Sequence, residues 1–228
     1  LGSLFVASAA MRSLSGAAVL LRAGYATARP IAAVEYRHWG LLTKSLYLSE
    51  EVTGAKTVET FWREDLIPLK GVGGYRKRRA FLRSLACMLH SLHKQKIYHN
   101  DLKASNILVV GRGAPTGELL SLIDLQGLKR CFYLSKRRRI KNLAQLNRTL
   151  GLFLTKTQRL FLLKAYGDFH FSSRAKKRNL VKGVLEETRR QIVREKFRRQ
   201  LAEKGIALDL CPFLRGQRRA SLQIKIDF

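Results

Sequence analysis

The chain has 228 residues and a mass of 26.0 kDa, with 44 Lys and Arg against 16 Asp and Glu, a net charge of +28 and an isoelectric point near 10.9. A hydrophobic fraction of 46% and a charged fraction of 26% are globular values, which exclude a wholly disordered basic tail and the collagenous and low-complexity classes. The three cysteines, Cys87, Cys131 and Cys211, lie far apart without metal-ligand spacing, which excludes a disulfide scaffold and a zinc module and reads as buried thiols in a reducing compartment.

From the N-terminus, Ser3 to Leu21 is small and apolar, and Arg12 interrupts it short of the span a bilayer needs. The segment therefore reads as a buried helix over Ala9 to Ala23, stopped by Gly24. Pro30 opens a strand-like piece, Ile31 to Tyr36, and a turn at Trp39-Gly40 leads to a second, Ser45 to Ser49. The two form an antiparallel pair that runs into the connector Glu50-Glu51-Val52-Thr53-Gly54. Gly71, Gly73 and Gly74 make a loop, after which Phe81, Leu85, Met88, Leu89 and Leu92 recur at the spacing of a helix over Tyr75 to Gln95 with one buried face. Asn106 to Leu125 reads as a hairpin: Ile107 to Val110, a loop holding Gly111, Gly113, Pro115 and Gly117, then Leu119 to Ile123. Everything after it looks helical. Thr155-Lys156-Thr157-Gln158 is a capping box opening a helix that stops near Gly167, and a basic amphipathic helix follows over Lys176 to Lys204. The last stretch, with Pro212 and Gly216, is irregular or weakly strand-like, and the chain has no internal repeat.

The chemistry is concentrated in His99-Asn100-Asp101-Leu102-Lys103-Ala104-Ser105-Asn106, followed across the hairpin by Ile123-Asp124. This is the H-x-D-L-K-x-x-N pattern of kinase-type phosphotransferases, with an acidic residue ending the next strand. Phosphoryl transfer needs an acceptor hydroxyl held in line, a metal bridging the phosphates, and positive charge on the transferred group. Asp101 suits the base that orients the hydroxyl, and Lys103 the cation that reaches the transferring phosphate. Asn106 and Asp124 supply hard oxygen ligands for Mg²⁺, and His99 braces the loop backbone. In the same reading ATP is the phosphoryl donor, its adenine meeting the backbone of Glu50, Glu51 and Val52.

With these residues the sequence resembles the bacterial lipopolysaccharide core kinases, the Kdo/WaaP family of the protein-kinase-like superfamily. The likeness takes in Leu20 to Gly24, Ala28-Arg29-Pro30, Ser45 to Glu51, Tyr98 to Val109, Leu122 to Gly127 and Lys141 to Asn147, and continues to about Gly167. It implies an α+β, protein-kinase-like fold: a truncated N-terminal lobe and a mainly helical C-terminal lobe with a catalytic loop and β-hairpin. The corresponding divisions are a partial N-terminal lobe and hinge over 1–54, a catalytic lobe over 55–190 and a basic extension over 191–228. The family further implies an ATP-dependent enzyme that phosphorylates a sugar hydroxyl of the lipopolysaccharide inner core, Kdo or heptose, at the cytoplasmic face of the inner membrane. Residues 1 to 43 contain no Lys, and the first acidic residue is Glu35, so the family's Gly-rich loop and nucleotide-gripping Lys are expected upstream of Leu1.

Two further features bear on the acceptor. Protein kinases follow their metal-binding Asp with Phe-Gly and, later, an Ala-Pro-Glu element that docks a peptide, whereas Asp124 is followed by Leu125-Gln126 and then the basic run Lys136 to Arg139. Residues 129 to 228 carry 27 basic and 7 acidic side chains, against 17 and 9 in residues 1 to 128. That imbalance suits a lipopolysaccharide core glycolipid on an anionic membrane surface. The aromatic residues are not interleaved with the basic runs at base-stacking spacing, which argues against nucleic acid as the partner. The alternative to an enzyme is an inactive kinase-fold module that docks on an anionic membrane or partner.

Overall fold

A computed structural model describes residues 7–111, 119–170 and 173–203. Its first helix, α1 (Ala9–Arg22), starts where the Ser8 hydroxyl accepts a hydrogen bond from the Met11 N–H at 3.1 Å, and it ends just before Gly24. Ala10, Gly16, Ala17 and Leu20 form its buried stripe. A Cβ added to Gly16 would lie 2.5 Å from the carbonyl oxygen of Leu125, so a bare backbone at this position is what lets α1 rest on the turn that follows Asp124.

After β1 (Ala26–Thr27) come β2 (Pro30–His38) and β3 (Leu41–Ser49), an antiparallel pair packed on α1. Trp39 and Gly40 join them with φ of +51° and +76°, the two positive values that a type I′ hairpin turn demands. The expected helix, strand pair and turn are all present, with both strands longer than their hydrophobic cores suggested.

The chain then forms β4 (Lys56–Thr57), the short helix α2 (Val58–Phe61), a wider π turn over Trp62–Leu66, and the long helix α3 (Gly71–Lys94). Gly71, Gly73 and Gly74 are not a loop but the first turn of α3. The poor helix propensity of glycine is offset by Arg78, whose guanidinium donates to the carbonyls of Leu66 at 2.9 Å and Leu69 at 2.7 Å and ties the helix start to the preceding turn.

Next come β5 (Ile97–His99), β6 (Ile107–Val110), β7 (Leu119–Leu122) and β8 (Leu128–Arg130). The helices α4 (Lys136–Thr149), α5 (Lys156–His170) and α6 (Arg174–Glu203) follow. The hairpin is present as β6 and β7, with Ile107 opposite Leu122 and Val110 opposite Leu119, while its expected loop, residues 112 to 118, lies outside the described residues. One sheet runs in the order β1-β7-β6-β4; a second, separate pair joins β5 to β8. That second pair corrects the expectation that only helix follows the hairpin. β8 is three residues long, too short for any periodicity to reveal.

The capping box opens α5 as expected: the Thr155 hydroxyl accepts from the Gln158 N–H at 3.2 Å, and the Gln158 side chain accepts from the Thr155 N–H at 2.9 Å. The helix does not stop at Gly167, which is buried with Lys177 and Leu180 over the place a side chain would fill, but runs on to His170. The core gathers Leu20, Trp62, Phe81, Leu89, Ile107, Leu122, Leu146 and Tyr166 from the helices and the sheet. Cys87 is exposed and Cys131 half-buried, so the expectation of buried thiols fails for both, while Cys211 lies outside the described residues, as do Pro212 and Gly216. The chain divides into two compact units, through Thr188 and from Arg189 onward, the second represented by the basic end of α6. Among the described residues no helix is long and apolar enough to cross a membrane.

Candidate active site

The segment from His99 to Asn106 leaves β5, turns through Asp101 and Leu102, and makes a 3₁₀ turn at Ala104–Asn106 before entering β6. Sequence alternation then decides what faces where. Leu102, Ala104 and Asn106 are buried, while Asp101, Lys103 and Ser105 are half-buried and reach solvent. The loop is thus pinned from beneath by every second residue and presents the carboxylate and the ammonium on its open side. Asp101 Oδ2 and Lys103 Nζ lie 2.9 Å apart. An ion pair with both partners this exposed adds little to stability, so its consequence is positional: the cation is held beside the carboxylate.

His99 is buried and uses both ring nitrogens. Nε2 faces the Ile123 carbonyl at 3.2 Å, and Nδ1 faces the backbone N–H of Asp101 at 3.2 Å. An N–H donor must meet an acceptor, so Nδ1 is the bare nitrogen and Nε2 carries the proton; the ring works as a neutral imidazole bridging the Asp101 loop to the end of β7. Burial holds its pKa below the ordinary imidazole value, against smaller opposing pulls from the Ile123 carbonyl, Asp124 and Asp101. In the unfolded chain this histidine binds a proton as pH falls through about 6.5, whereas the folded chain resists it. The contribution to stability is therefore intact above that value and is lost as pH drops toward the depressed folded pKa. The melting temperature should fall between about pH 7.5 and pH 5.5, and His99→Gln should flatten that dependence; an equally steep curve in the variant would contradict the assignment.

Asn106, also buried, links the two acidic residues. Its Nδ2 donates to the Asp101 carbonyl oxygen at 2.9 Å and lies 3.4 Å from Asp124 Oδ2. Asp124 is exposed and sits at the end of β7 with φ of +56° and ψ of +59°, a left-handed backbone that Asp tolerates better than most residues and that turns the chain sharply into the 3₁₀ turn Leu125–Gly127. Gly127 closes the structure from the other side. Asn100 donates its N–H to the Gly127 carbonyl at 3.1 Å, and a Cβ on residue 127 would fall 2.6 Å from Asn100 Cβ. The loop from His99 to Asn106 and the turn after Asp124 are therefore in backbone contact.

His99, Asp101, Lys103, Asn106 and Asp124 are thus brought together. Glu50, Glu51 and Val52 lie in the extended connector between β3 and β4, where the Glu50 N–H donates to the Arg29 carbonyl at 2.8 Å and the Val52 carbonyl accepts from Ala55 at 3.3 Å. The connector delivers the chain to β4, which pairs with β6, the strand that Asn106 opens.

Three residues in α4 support the loop and were not singled out from sequence as site residues. Asn142 donates through Nδ2 to the His99 carbonyl and to Gln145 Oε1. Gln145 donates to the Asn100 carbonyl and accepts from the Leu102 N–H at 3.3 Å, while the Thr149 hydroxyl accepts from the Ala104 N–H at 2.9 Å. Their spacing of three and four puts them on one face of α4. Behind them His93 Nε2 meets Asn142 Oδ1 at 3.2 Å, and His93 Nδ1 meets the Tyr166 hydroxyl at 2.8 Å. Burial raises the pKa of that phenol, so it remains a protonated donor and the chain of hydrogen bonds from α5 to the loop has one direction. The available sequence signal was the recurrence of uncharged polar residues on an otherwise apolar helix face beside Leu143 and Leu146.

The donor set suits a hard cation. With its amide nitrogen committed to Asp101, Asn106 keeps Oδ1 as the ligating atom, and Asp124 offers an exposed carboxylate. Two such ligands are too few to cage a metal alone and fit an ion shared with the phosphates of a bound nucleotide.

A family model described as the lipopolysaccharide kinase (Kdo/WaaP) family matches residues 5–166. Among solved structures the chain is similar to WaaP in complex with acyl carrier protein, with 25% sequence identity and a TM-score of 0.63, over 79% of this chain and 74% of that one. No curated protein matches the sequence. The family match runs from before α1 into α5 and so includes the loop from His99 to Asn106, the turn at Asp124 and the α4 face that holds them; the chain belongs to the lipopolysaccharide kinase (Kdo/WaaP) family and is a kinase of the protein-kinase-like fold.

Proposed function

We propose that the protein transfers the terminal phosphoryl group of ATP to a sugar hydroxyl of the lipopolysaccharide inner core, on Kdo or heptose, with Mg²⁺ as the metal and at the cytoplasmic face of the inner membrane. The observation that carries this reading is the constellation of Asp101, Asn106 and Asp124, held by hydrogen bonds within the segment matched to the family. Asp101 accepts the proton of the attacking hydroxyl, and its carboxylate is oriented by Lys103. Lys103, on the same open side of the loop, offsets charge on the phosphoryl group in transit. Asn106 Oδ1 and the Asp124 carboxylate hold the metal, which when bound neutralises phosphate charge. His99 keeps the Asp101 backbone fixed, and the backbone of Glu50 to Val52 binds the adenine. The absence of Phe-Gly after Asp124, together with the basic α4, supports an anionic glycan rather than a peptide as acceptor.

The test is transfer of labelled phosphate from ATP to two purified acceptors, one ending in unphosphorylated Kdo and one carrying unphosphorylated heptose. Incorporation into one of them, stable to treatment that removes acyl phosphate, is the expected result. Transfer to a protein substrate with none to either glycan would sink the proposal.

A further inference from the structure

Between β8 and α4 the chain displays two adjacent aromatic side chains, Phe132 and Tyr133, exposed at 97% and 70%. They are not carried on a loose loop. The Cys131 N–H donates to the Lys96 carbonyl at 2.9 Å, Leu134 is buried, and the Ser135 hydroxyl caps α4 by accepting from the Arg138 N–H at 3.4 Å. Pinned at both ends, the segment holds two rings in water that the core never covers.

Cations surround the rings. Lys96 Nζ stands 5.6 Å from the centre of the Phe132 ring, and Lys129, Arg130, Lys136 and Arg137 are exposed, with no acidic partner among the described residues. From Leu125 to Gly167 the sequence contains no Asp or Glu. A second observation points the same way. Lys136 and Arg137 stand exposed in the first turn of α4, the positive end of the helix dipole, where anions are favoured and cations disfavoured, and that turn contains no acidic residue. Lys136 and Arg137 thus stand exposed where they oppose the helix, which an external anionic surface would compensate.

We infer that this knuckle, residues 129–139, docks the protein on an anionic bilayer: Phe132 and Tyr133 enter the boundary between headgroups and acyl chains, and the flanking Lys and Arg side chains stay with the lipid phosphates. The inference rests on the proposed glycolipid acceptor and gives it a point of delivery. β8 pairs with β5, with Leu128 opposite His99 and Arg130 opposite Ile97, so the knuckle and the catalytic loop leave opposite ends of one short strand pair, about 7 Å of strand apart. A sugar presented by a lipid anchored in the same bilayer is then held close to Asp101.

Co-sedimentation of the full chain with vesicles tests this, using phosphatidylcholine alone and phosphatidylcholine with about one third phosphatidylglycerol. Binding to the anionic vesicles only is expected. Phe132→Ser with Tyr133→Ser should weaken it at least about fivefold. Lys136→Glu with Arg137→Glu should weaken it by about 25-fold or more. The aromatic double variant should keep the wild-type melting temperature because both side chains are exposed, and the charge variant should melt no lower than wild type, since Glu suits the first turn of α4 better than Lys or Arg. Asp101→Asn should bind vesicles like wild type, so that a failure of the glycan-kinase reading leaves the docking result standing on its own. Undiminished vesicle binding by the aromatic variant would overturn the inference, as would equal binding to soluble polyglutamate and to vesicles, which would assign the face to an acidic protein.

Discussion

Asp101→Asn should lower the rate of phosphoryl transfer by about a thousandfold, within the range that a positioned general base contributes, without disturbing the fold. The structural contacts of Asp101 are made by its backbone: its N–H reaches His99 Nδ1 and its carbonyl accepts from Asn106 Nδ2. Its carboxylate contributes only the exposed pair with Lys103, and an amide oxygen still accepts a hydrogen bond from that ammonium. The variant should therefore melt with the wild-type protein, and it should still bind nucleotide, since Asn106 and Asp124 are untouched. What it lacks is an oxygen able to take a proton from the acceptor. A fall in kcat at constant nucleotide affinity is the expected signature in steady-state kinetics. An undiminished rate would remove Asp101 from the chemistry.

The second large effect belongs to α4. Asn142→Leu keeps the volume of the side chain and removes its polar atoms, leaving the His99 carbonyl and His93 Nε2 buried without their partner and Gln145 short of one donor. Each buried polar group left unpaired costs about 1 to 3 kcal/mol, so a loss of about 3 kcal/mol is expected. In a chain of this size that is a drop of roughly 6 to 12 °C in melting temperature. Activity should fall further than stability explains, because the same amide fixes the His99 carbonyl, two residues ahead of the proposed base Asp101. Thermal unfolding and kinetics at a temperature where the variant is fully folded separate the two effects. A melting temperature within about 2 °C of wild type would show that the network is not what holds the loop.

How legible the molecule was depended on the range of the interaction that fixed each part. The helix at Ala9 to Arg22, the Trp39-Gly40 hairpin, the long helix α3 and the hairpin carrying Asn106 and Asp124 are set by local patterning: a cap, a turn with two positive φ values, an apolar period. Those could be read from neighbouring residues. The candidate residues His99, Asp101, Lys103, Asn106 and Asp124 could be picked out for the same reason, since they fall at fixed spacing on one loop and one strand end. Whatever depended on distant contacts was missed. Gly71 reads as a breaker until Arg78 ties it back to Leu66 and Leu69. Gly167 reads as a stop until α6 covers it. β8 has no pattern of its own and exists because β5 offers it an edge. The hydrogen bonds from Asn142, Gln145 and Thr149 join residues more than forty positions from their partners in the loop, and nothing in the local sequence says where an uncharged polar face will dock.

A metal–nucleotide site at Asn106 and Asp124 would show in thermal unfolding of the full chain with and without Mg·ATP, beside the Asp124→Ala variant. Asp124 is exposed, so the variant should still fold, at a melting temperature somewhat below wild type because Ala tolerates the left-handed φ of +56° less well than Asp; the comparison is therefore of the shift that Mg·ATP produces in each protein. At a nucleotide concentration about 100 times the dissociation constant, binding should add about 2.7 kcal/mol to the wild-type protein, a rise of several degrees that requires the metal. This rise should disappear in the variant. An equal rise in both proteins would contradict it, as would a wild-type chain whose melting temperature ignores Mg·ATP.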